Sequence, residues 1–152
     1  PLYVPPGHGL VYLLAVRIGE TAPGRHPRAP LAVLAVATAW TLGAQVVPAV
    51  GDDVGLVLLP VLGWFLLRGS RPPVYVGAFV ATTVLELLGT GFANWTWQQH
   101  VPGLPMGQGN PPSVIAGGYA ILDAIALTVC AALGPRLLAR GAPPRALEQA
   151  GD

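Results

Sequence analysis

ELLGTGFANWTWQQHVPGLPMGQGNPPSVIAGGYAILD, residues 86–123, is the stretch that decides the fold. It begins with Glu86 inside one apolar run and ends with Asp123 inside the next. The residues between these two acids carry no formal charge, are rich in Gly, Pro, Trp and amide side chains, and include one histidine, His100. A carboxyl group in hydrocarbon-like surroundings is energetically unfavourable, so Glu86 and Asp123 are the first candidates for functional residues.

The composition of the whole chain is that of a membrane protein. Apolar residues make up 53% of it and charged residues 10%, and its mean hydropathy is +0.58. A soluble domain carries about 25% charged residues, so this chain cannot cover itself with a water-facing surface. We predict an all-α integral membrane bundle of about five transmembrane helices over residues 1–135, followed by a polar cytoplasmic tail over residues 136–152.

Five apolar segments fit such a bundle. The predicted crossings are residues 4–18, 30–50, 54–67, 74–93 and 113–133, and residues 94–112 form a long loop. A helix needs about 20 apolar residues to cross a bilayer core of about 30 Å. The third segment has only 14 residues and contains Pro60, so by length it could be a tilted span, a re-entrant piece or a buried helix.

The positions of the basic residues indicate that the third segment crosses and fix the orientation. All eight basic residues are Arg, and with five crossings they fall on one side, which the positive-inside rule makes cytoplasmic. Without the third crossing they would lie on both sides. We therefore predict an outward N-terminus, an outward 94–112 loop and a cytoplasmic C-terminus. The arginines lie after the first crossing, after the third and in the tail: Arg17, Arg25, Arg28, Arg68, Arg71, Arg136, Arg140 and Arg145.

The same composition suggests a source and a location. An all-Arg chain rich in Ala, Gly and Pro indicates a bacterial protein, which we place in the cytoplasmic (inner) membrane as a multi-pass protein. Because the chain opens with Pro1 rather than Met, we also expect that residues upstream of it are missing from this sequence.

Several classes of function are disfavoured. A net charge of +1 without a clustered basic face argues against nucleic acid binding. Cys130 is the only cysteine, so an intramolecular disulfide is excluded, and we expect it to be a small apolar filler. His8, His100 and the two acids have metal-ligand chemistry, but their spacing matches no recognised signature. We predict neither a metal site nor a cofactor.

The two acids are predicted to lie at one depth. Glu86 precedes Trp95 by nine residues, and Asp123 follows Ser113 by ten. At about 1.5 Å per helical residue, both carboxyl groups would lie about 13–15 Å below the outer boundary on antiparallel helices. A neutral carboxylic acid in such a place could protonate an alkene or relay a proton. The structural alternative is that each acid bonds a neighbouring polar group and orders the bundle.

The residues around this pair complete the predicted site. Glu86 and Asp123 are the candidate catalytic residues. The aromatic residues of the loop are also explained by an interfacial aromatic belt. Ser113, which follows two prolines and a Gly-rich run, is expected to cap the fifth helix rather than to bind an anion. The candidate binding residues are Tyr119, Trp95, Trp97, Asn94, Asn110, His8 and His100.

The stretch also carries a family resemblance. ELLGT at 86–90, NWTW at 94–97, Pro102 and the NPP at 110–112 that leads to Tyr119 resemble small, uncharacterised bacterial polytopic membrane proteins. An acid-x-x-Gly followed by an aromatic-x-aromatic pair is also similar to membrane carotenoid hydratases and cyclases. This chain has Trp-x-Trp in place of Tyr-x-Tyr and lacks Pro-Phe-Gly. The resemblance implies an acid-catalysed addition or cyclisation at an isoprenoid double bond, with Glu86 as the proton donor.

Three hypotheses for function follow from these features. The first is an intramembrane enzyme or binder that acts on a lipid-soluble, isoprenoid or carotenoid-like small molecule through its buried carboxylates. The second is a small transporter or proton-coupled component, in which the same acids carry protons or cations. The third is a structural subunit of a homo-oligomer or larger membrane assembly. The expected partners are the lipid bilayer and a lipid or isoprenoid ligand.

Overall fold

The computed structural model describes residues 4–46 and 51–141, which form five helices in the predicted order. They are α1 (Val4–Gly19), α2 (Ala29–Val46), α3 (Asp53–Arg68), α4 (Pro72–Gly91) and α5 (Ile115–Gly141). The all-α class and the five helices are confirmed, including the short third helix, which contains Pro60. The last residues of the second predicted crossing, 47–50, lie outside the described residues.

Two helices begin two residues away from their predicted starts. Helix α4 begins two residues early because Pro72 and Pro73 occupy its first positions, where a missing N–H is harmless. Helix α5 begins at Ile115 rather than at residue 113. The Ser113 hydroxyl pairs with Thr41 instead of serving as the expected cap.

The chain forms two compact units, residues 1–121 and 122–152, and the boundary falls within α5. The first unit holds α1 to α4, the loop after α4 and the first turns of α5. The second unit, in its described part, consists of the remainder of α5. The assignment of residues 136–152 to a cytoplasmic tail stays a prediction, and residues 142–152 lie outside the described residues.

Among residues 4–46 and 51–141, three helices are long and apolar enough to cross a membrane: Ala29–Val46, Pro72–Gly91 and Ile115–Leu133. These candidate spans indicate a multi-pass membrane protein. The apolar part of α1, Gly7–Gly19, is shorter, and the 16 residues of α3 span about 24 Å. Both short helices nevertheless expose large apolar side chains such as Leu13, Leu14, Val57 and Trp64.

The core of the first unit lies between α2, α3, α4 and the start of α5. Its members come from all four helices, so the short α3 is part of the bundle interior as much as the long helices are. The buried cluster consists of Val33, Ala37, Leu62, Leu66, Tyr75, Val76, Phe79, Val114, Ala116 and Ala120.

Helix α1 packs most closely against α4 through small residues. A Cβ atom added at Gly77 would collide with the backbone of Ala15, and one at Gly19 would collide with the carbonyl of Pro73. Ala15 is fully buried at this contact. Small residues allow helix backbones to approach in membranes, where apolar burial gives little driving force between helices.

The helices alternate in direction, so the polar connections separate into two ends. The arginine end comprises residues 20–28 and 69–71, which the Gly19–Pro73 contact brings together. The loop end comprises residues 51–52 and 92–114, joined by hydrogen bonds of Asp52 and Asp53. Five arginines lie at or beside the arginine end, as the predicted topology requires: Arg17, Arg25, Arg28, Arg68 and Arg71.

Glycine-to-alanine substitutions can separate the effect of the α1–α4 packing on stability from the effect of helix propensity. Gly77→Ala should lower the stability by about 1–3 kcal/mol, because the new Cβ has no space beside Ala15. Gly43→Ala in α2, where nothing lies within 4 Å of the added atom, should be neutral or gain up to about 1 kcal/mol. Thermal unfolding in detergent, followed by size-exclusion chromatography, measures both. Equal behaviour of the two variants would contradict the close contact.

Candidate functional site

Glu86 lies on α4, is 4% exposed, and accepts two hydrogen bonds from tryptophan side chains at one oxygen. Its Oε2 is 2.9 Å from Nε1 of Trp95 and 2.8 Å from Nε1 of Trp97. Two indole N–H donors at hydrogen-bonding distance compensate part of the loss of hydration that burial of a carboxyl group causes. The two loop tryptophans are thus bound to the acid below them.

The end of α4 shapes the position of Trp95. Ala93 adopts a left-handed conformation, φ 56°, and the N–H of Asn94 bonds the Gly89 carbonyl at 2.8 Å. This turn folds the chain back over the last turn of the helix. Gly89 lies one turn after Glu86, and a Cβ atom there would collide with the Trp95 indole. Gly89 therefore provides the space that lets Trp95 reach the carboxylate.

Two aromatic side chains from other helices stack on each other, and one of them, Tyr119, lies near this acid. The rings of His8 on α1 and Tyr119 on α5 stack with centroids 5.1 Å apart and planes inclined by 20°. Tyr119 is also close enough to Glu86 to interact with its charge. We call His8, Glu86, Trp95, Trp97 and Tyr119 the Glu86 cluster. It joins three helices and the loop within the first unit.

Both indole N–H groups donate to one oxygen of Glu86, Oε2. Among the described residues, no buried side-chain nitrogen or oxygen lacks a partner. The cluster therefore holds a nearly buried carboxylate among aromatic rings. This arrangement can accept a hydrogen bond from a hydroxyl group of a ligand.

The other predicted site residues have different positions and roles. Asn110 accepts the backbone N–H of Trp97 at 3.0 Å and so positions that residue. Asn94 is exposed, and its backbone closes the turn after α4. His100 is exposed and pairs with Gly107 in an isolated β-bridge. Asp123 lies in the second unit, partly buried and with an interaction partner. Its predicted pairing with Glu86 stays a prediction.

Within residues 4–46 and 51–141, no group of three or more His, Cys, Asp or Glu side chains is placed to hold a metal ion. Cys130 is exposed and unpaired in the second unit.

A second buried carboxylate, Asp52, was not among the predicted site residues. It is fully buried and accepts three backbone N–H groups. Oδ1 bonds Gly55 at 3.1 Å and Gly109 at 3.2 Å, and Oδ2 bonds Ser113 at 2.7 Å. Gly55 belongs to α3, which Asp52 caps. The other two donors belong to the loop and to its junction with α5.

Further hydrogen bonds lie next to those of Asp52. Asp53 accepts the N–H of Gly107 at 2.8 Å, and Gln45 of α2 donates to the carbonyl of Asp52 at 2.8 Å. Thr41 and Ser113 share a buried hydrogen bond of 2.9 Å. We call Thr41, Asp52, Asp53 and Ser113 the Asp52 anchor. It fixes the second half of the loop to the turn between α2 and α3.

The sequence contained a signal for this anchor. Two adjacent acids precede an apolar helix on the side where the topology places a Gly- and Pro-rich loop with many backbone N–H groups. Buried backbone donors require acceptors, and neighbouring carboxylates supply them. The partners are backbone groups, however, so residue types alone do not show which amides are involved.

Family models, curated proteins and solved structures give no match to this chain. Its function is therefore inferred from the chemistry of the two carboxylate sites.

The two adjacent acids allow a matched test of the anchor. Asp52→Asn should lower the stability by about 1–3 kcal/mol, because both oxygens of Asp52 accept N–H groups and an amide offers only one acceptor atom. Asp53→Asn should have little effect, since one oxygen is enough for its single bond to Gly107. Unfolding in detergent compares the two. A larger loss for Asp53→Asn would contradict the anchor.

Proposed function

We propose that the protein is a five-crossing protein of the bacterial cytoplasmic membrane that binds a lipid-soluble small molecule at its outer end. In this proposal the Glu86 cluster is the binding site, and the ligand is an isoprenoid-like molecule with a hydroxyl group. The observation that carries the proposal is the nearly buried Glu86 carboxylate, which two loop indoles hold at Oε2 among aromatic rings.

The aromatic surroundings support a flat, apolar ligand. Trp95 is 39% exposed, and its indole lies against the open end of α4 at Gly89. Aromatic rings offer large rigid surfaces for hydrocarbon, and their N–H or O–H groups meet polar partners at the membrane boundary. A molecule with an unsaturated chain and one hydroxyl group matches both the rings and the nearly buried carboxylate.

The distribution of buried polar groups favours binding over transport. A transport path would need polar groups that continue from the loop end to the arginine end. Among the described residues, the buried hydroxyl of Thr82 bonds the carbonyls of Ala78 and Phe79 in its own helix. Beyond it toward the arginine end, α4 buries mainly apolar side chains such as Val76 and Phe79.

The third hypothesis, a structural subunit pinned to others by its acids, receives less support. Acids that join subunits would be expected to face outward without partners in their own chain. Glu86 is bound by Trp95 and Trp97, and Asp52 is enclosed by backbone donors. A catalytic role, with Glu86 or Asp123 as general acid, stays a prediction from the resemblance.

Ligand retention tests the binding proposal. In Glu86→Gln, the amide oxygen can keep both indole bonds, while an NH₂ group replaces the other carboxylate oxygen and the negative charge is lost. We expect the variant to stay folded and to retain at least tenfold less of a co-purifying lipid-soluble molecule. This corresponds to a loss of about 1.4 kcal/mol in binding free energy. Lipid extraction and mass spectrometry of the purified protein measure it. Glu20→Gln, which removes an exposed acid at the arginine end, is the control. Unchanged retention in Glu86→Gln would refute the proposal.

The proposed orientation has a separate test. In a Cys130→Ala background, Gln99→Cys should react with a membrane-impermeant maleimide added to intact cells, because Gln99 is an exposed residue of the outward loop. Ser70→Cys, exposed at the arginine end, should react only after the membrane is opened. Labelling of both residues from the same side would rule out five crossings with this orientation.

A further inference from the structure

The connection between α1 and α2, residues 20–28, is a fixed structure at the arginine end. Thr21 donates its hydroxyl to the Ile18 carbonyl at 2.6 Å and accepts the N–H of Gly24 at 3.3 Å. The N–H of Arg25 bonds the Thr21 carbonyl at 3.0 Å. Gly24 is buried, and a Cβ atom there would collide with the carbonyl of Ile18. The backbone that carries the basic residues is therefore held in place.

The basic groups on this connection are available to an anion. Among the described residues, the only ion pair joins Arg17 to Glu20, at 3.5 Å. Arg25 and Arg28 are exposed and take no part in it. His26 accepts the N–H of Arg28 at Nδ1, at 3.2 Å, which leaves Nε2 as the donor atom of the ring. Two guanidinium groups and one imidazole N–H are thus offered within four consecutive residues.

An apolar groove lies on each side of this basic group, and His26 lines both. One groove has a volume of about 620 Å³ and is walled by Ala29, Ala32 and Val33 of α2 with Val76 of α4. The other has a volume of about 430 Å³ and includes Leu31 of α2, Leu66 and Leu67 of α3, and the prolines that begin α2 and α4. Arg28 borders the first groove and Arg25 the second.

We infer that the arginine end binds one anionic phospholipid, with its headgroup at Arg25, His26 and Arg28 and an acyl chain in each flanking groove. The charge of the site is complementary to a phosphate, and the forked donors of a guanidinium group match the geometry of phosphate oxygens. The apolar walls select a lipid over a free phosphate ion, because only a lipid would fill them. Basic groups between helices on the cytoplasmic side are placed to meet the anionic leaflet.

The distribution of charge supports the same occupant. Of the acids that the structure describes in the first unit, only Glu20 lies at the arginine end, and it already faces Arg17. Asp52, Asp53 and Glu86 lie at or near the loop end, where they bind N–H groups of the chain itself. An anion supplied by the membrane would therefore provide the negative charge that Arg25 and Arg28 lack within the described chain.

Lipid titration of the full-length purified protein, followed by native mass spectrometry, tests the inference. Phosphatidylglycerol should bind at least tenfold more tightly than phosphatidylcholine. The double variant Arg25→Gln/Arg28→Gln should lose that preference, whereas Arg17→Gln, whose arginine is already paired, should keep it within twofold. Millimolar inorganic phosphate should not displace the lipid. Glu86→Gln should bind phosphatidylglycerol normally, which separates this site from the proposed ligand site.

A second variant tests the grooves without altering the charge. Ala32→Trp places a large ring in the first groove on an exposed helical position and should weaken phosphatidylglycerol binding at least fivefold. Equal binding of the two lipids, or retention of the preference in Arg25→Gln/Arg28→Gln, would overturn the headgroup assignment. Displacement by inorganic phosphate would indicate a free-anion site. Unchanged binding by Ala32→Trp would overturn the acyl-chain assignment.

Discussion

The fully buried carboxylate of Asp52 is the interaction on which the loop end depends. A loop that closes the end of a helix bundle carries backbone N–H groups that lose water and must find acceptors. Asp52 supplies acceptors for Gly109 and Ser113 while it also caps α3 through Gly55. The same three bonds satisfy the carboxylate, whose burial would otherwise be strongly unfavourable. One side chain therefore fixes the start of α3, the second half of the loop and the approach to α5.

Glu86 plays the corresponding role for the first half of the loop, but with side-chain donors. Trp95 and Trp97 reach it from residues that follow a left-handed turn, and Asn110 ties the backbone of Trp97 to the half of the loop that Asp52 holds. The two carboxylates thus act on one loop. They differ in their donors, because Asp52 binds backbone N–H groups whereas Glu86 is held by the indoles of two loop tryptophans that are not fully buried. This difference makes Asp52 an anchor and Glu86 the better candidate for binding.

The sequence predicted the elements better than their contacts, for a physical reason. Apolar length and the placement of charges determine where a helix can cross, and both are visible in residue types, so the five helices followed, including α3 with Pro60. The arginines supported α3 because its direction decides on which side Arg68 and Arg71 lie. The Asp52 anchor uses backbone donors, and the bonds of Glu86 to Trp95 and Trp97 depend on the left-handed conformation of Ala93, a position where glycine is usual. Neither feature leaves a periodic pattern. The prediction that Glu86 and Asp123 lie at the same depth in the membrane used only the helical rise per residue, and it stays a prediction.

The two ends of the first unit differ in how their charged side chains are placed. At the loop end, the carboxylates of Asp52 and Glu86 are turned inward and stabilised by hydrogen bonds from the chain, so this end can lie against an apolar ligand or membrane without an exposed cluster of charge. At the arginine end, the connection is rigid but Arg25 and Arg28 stay exposed, because a guanidinium group can remain in water or among headgroups while its stem packs on apolar surface. Arg25 and Arg28 lack an ion-pair partner within the described residues. This is consistent with their proposed role as the binding group for an anionic lipid, and in the proposed orientation the same arginines lie on the cytoplasmic side.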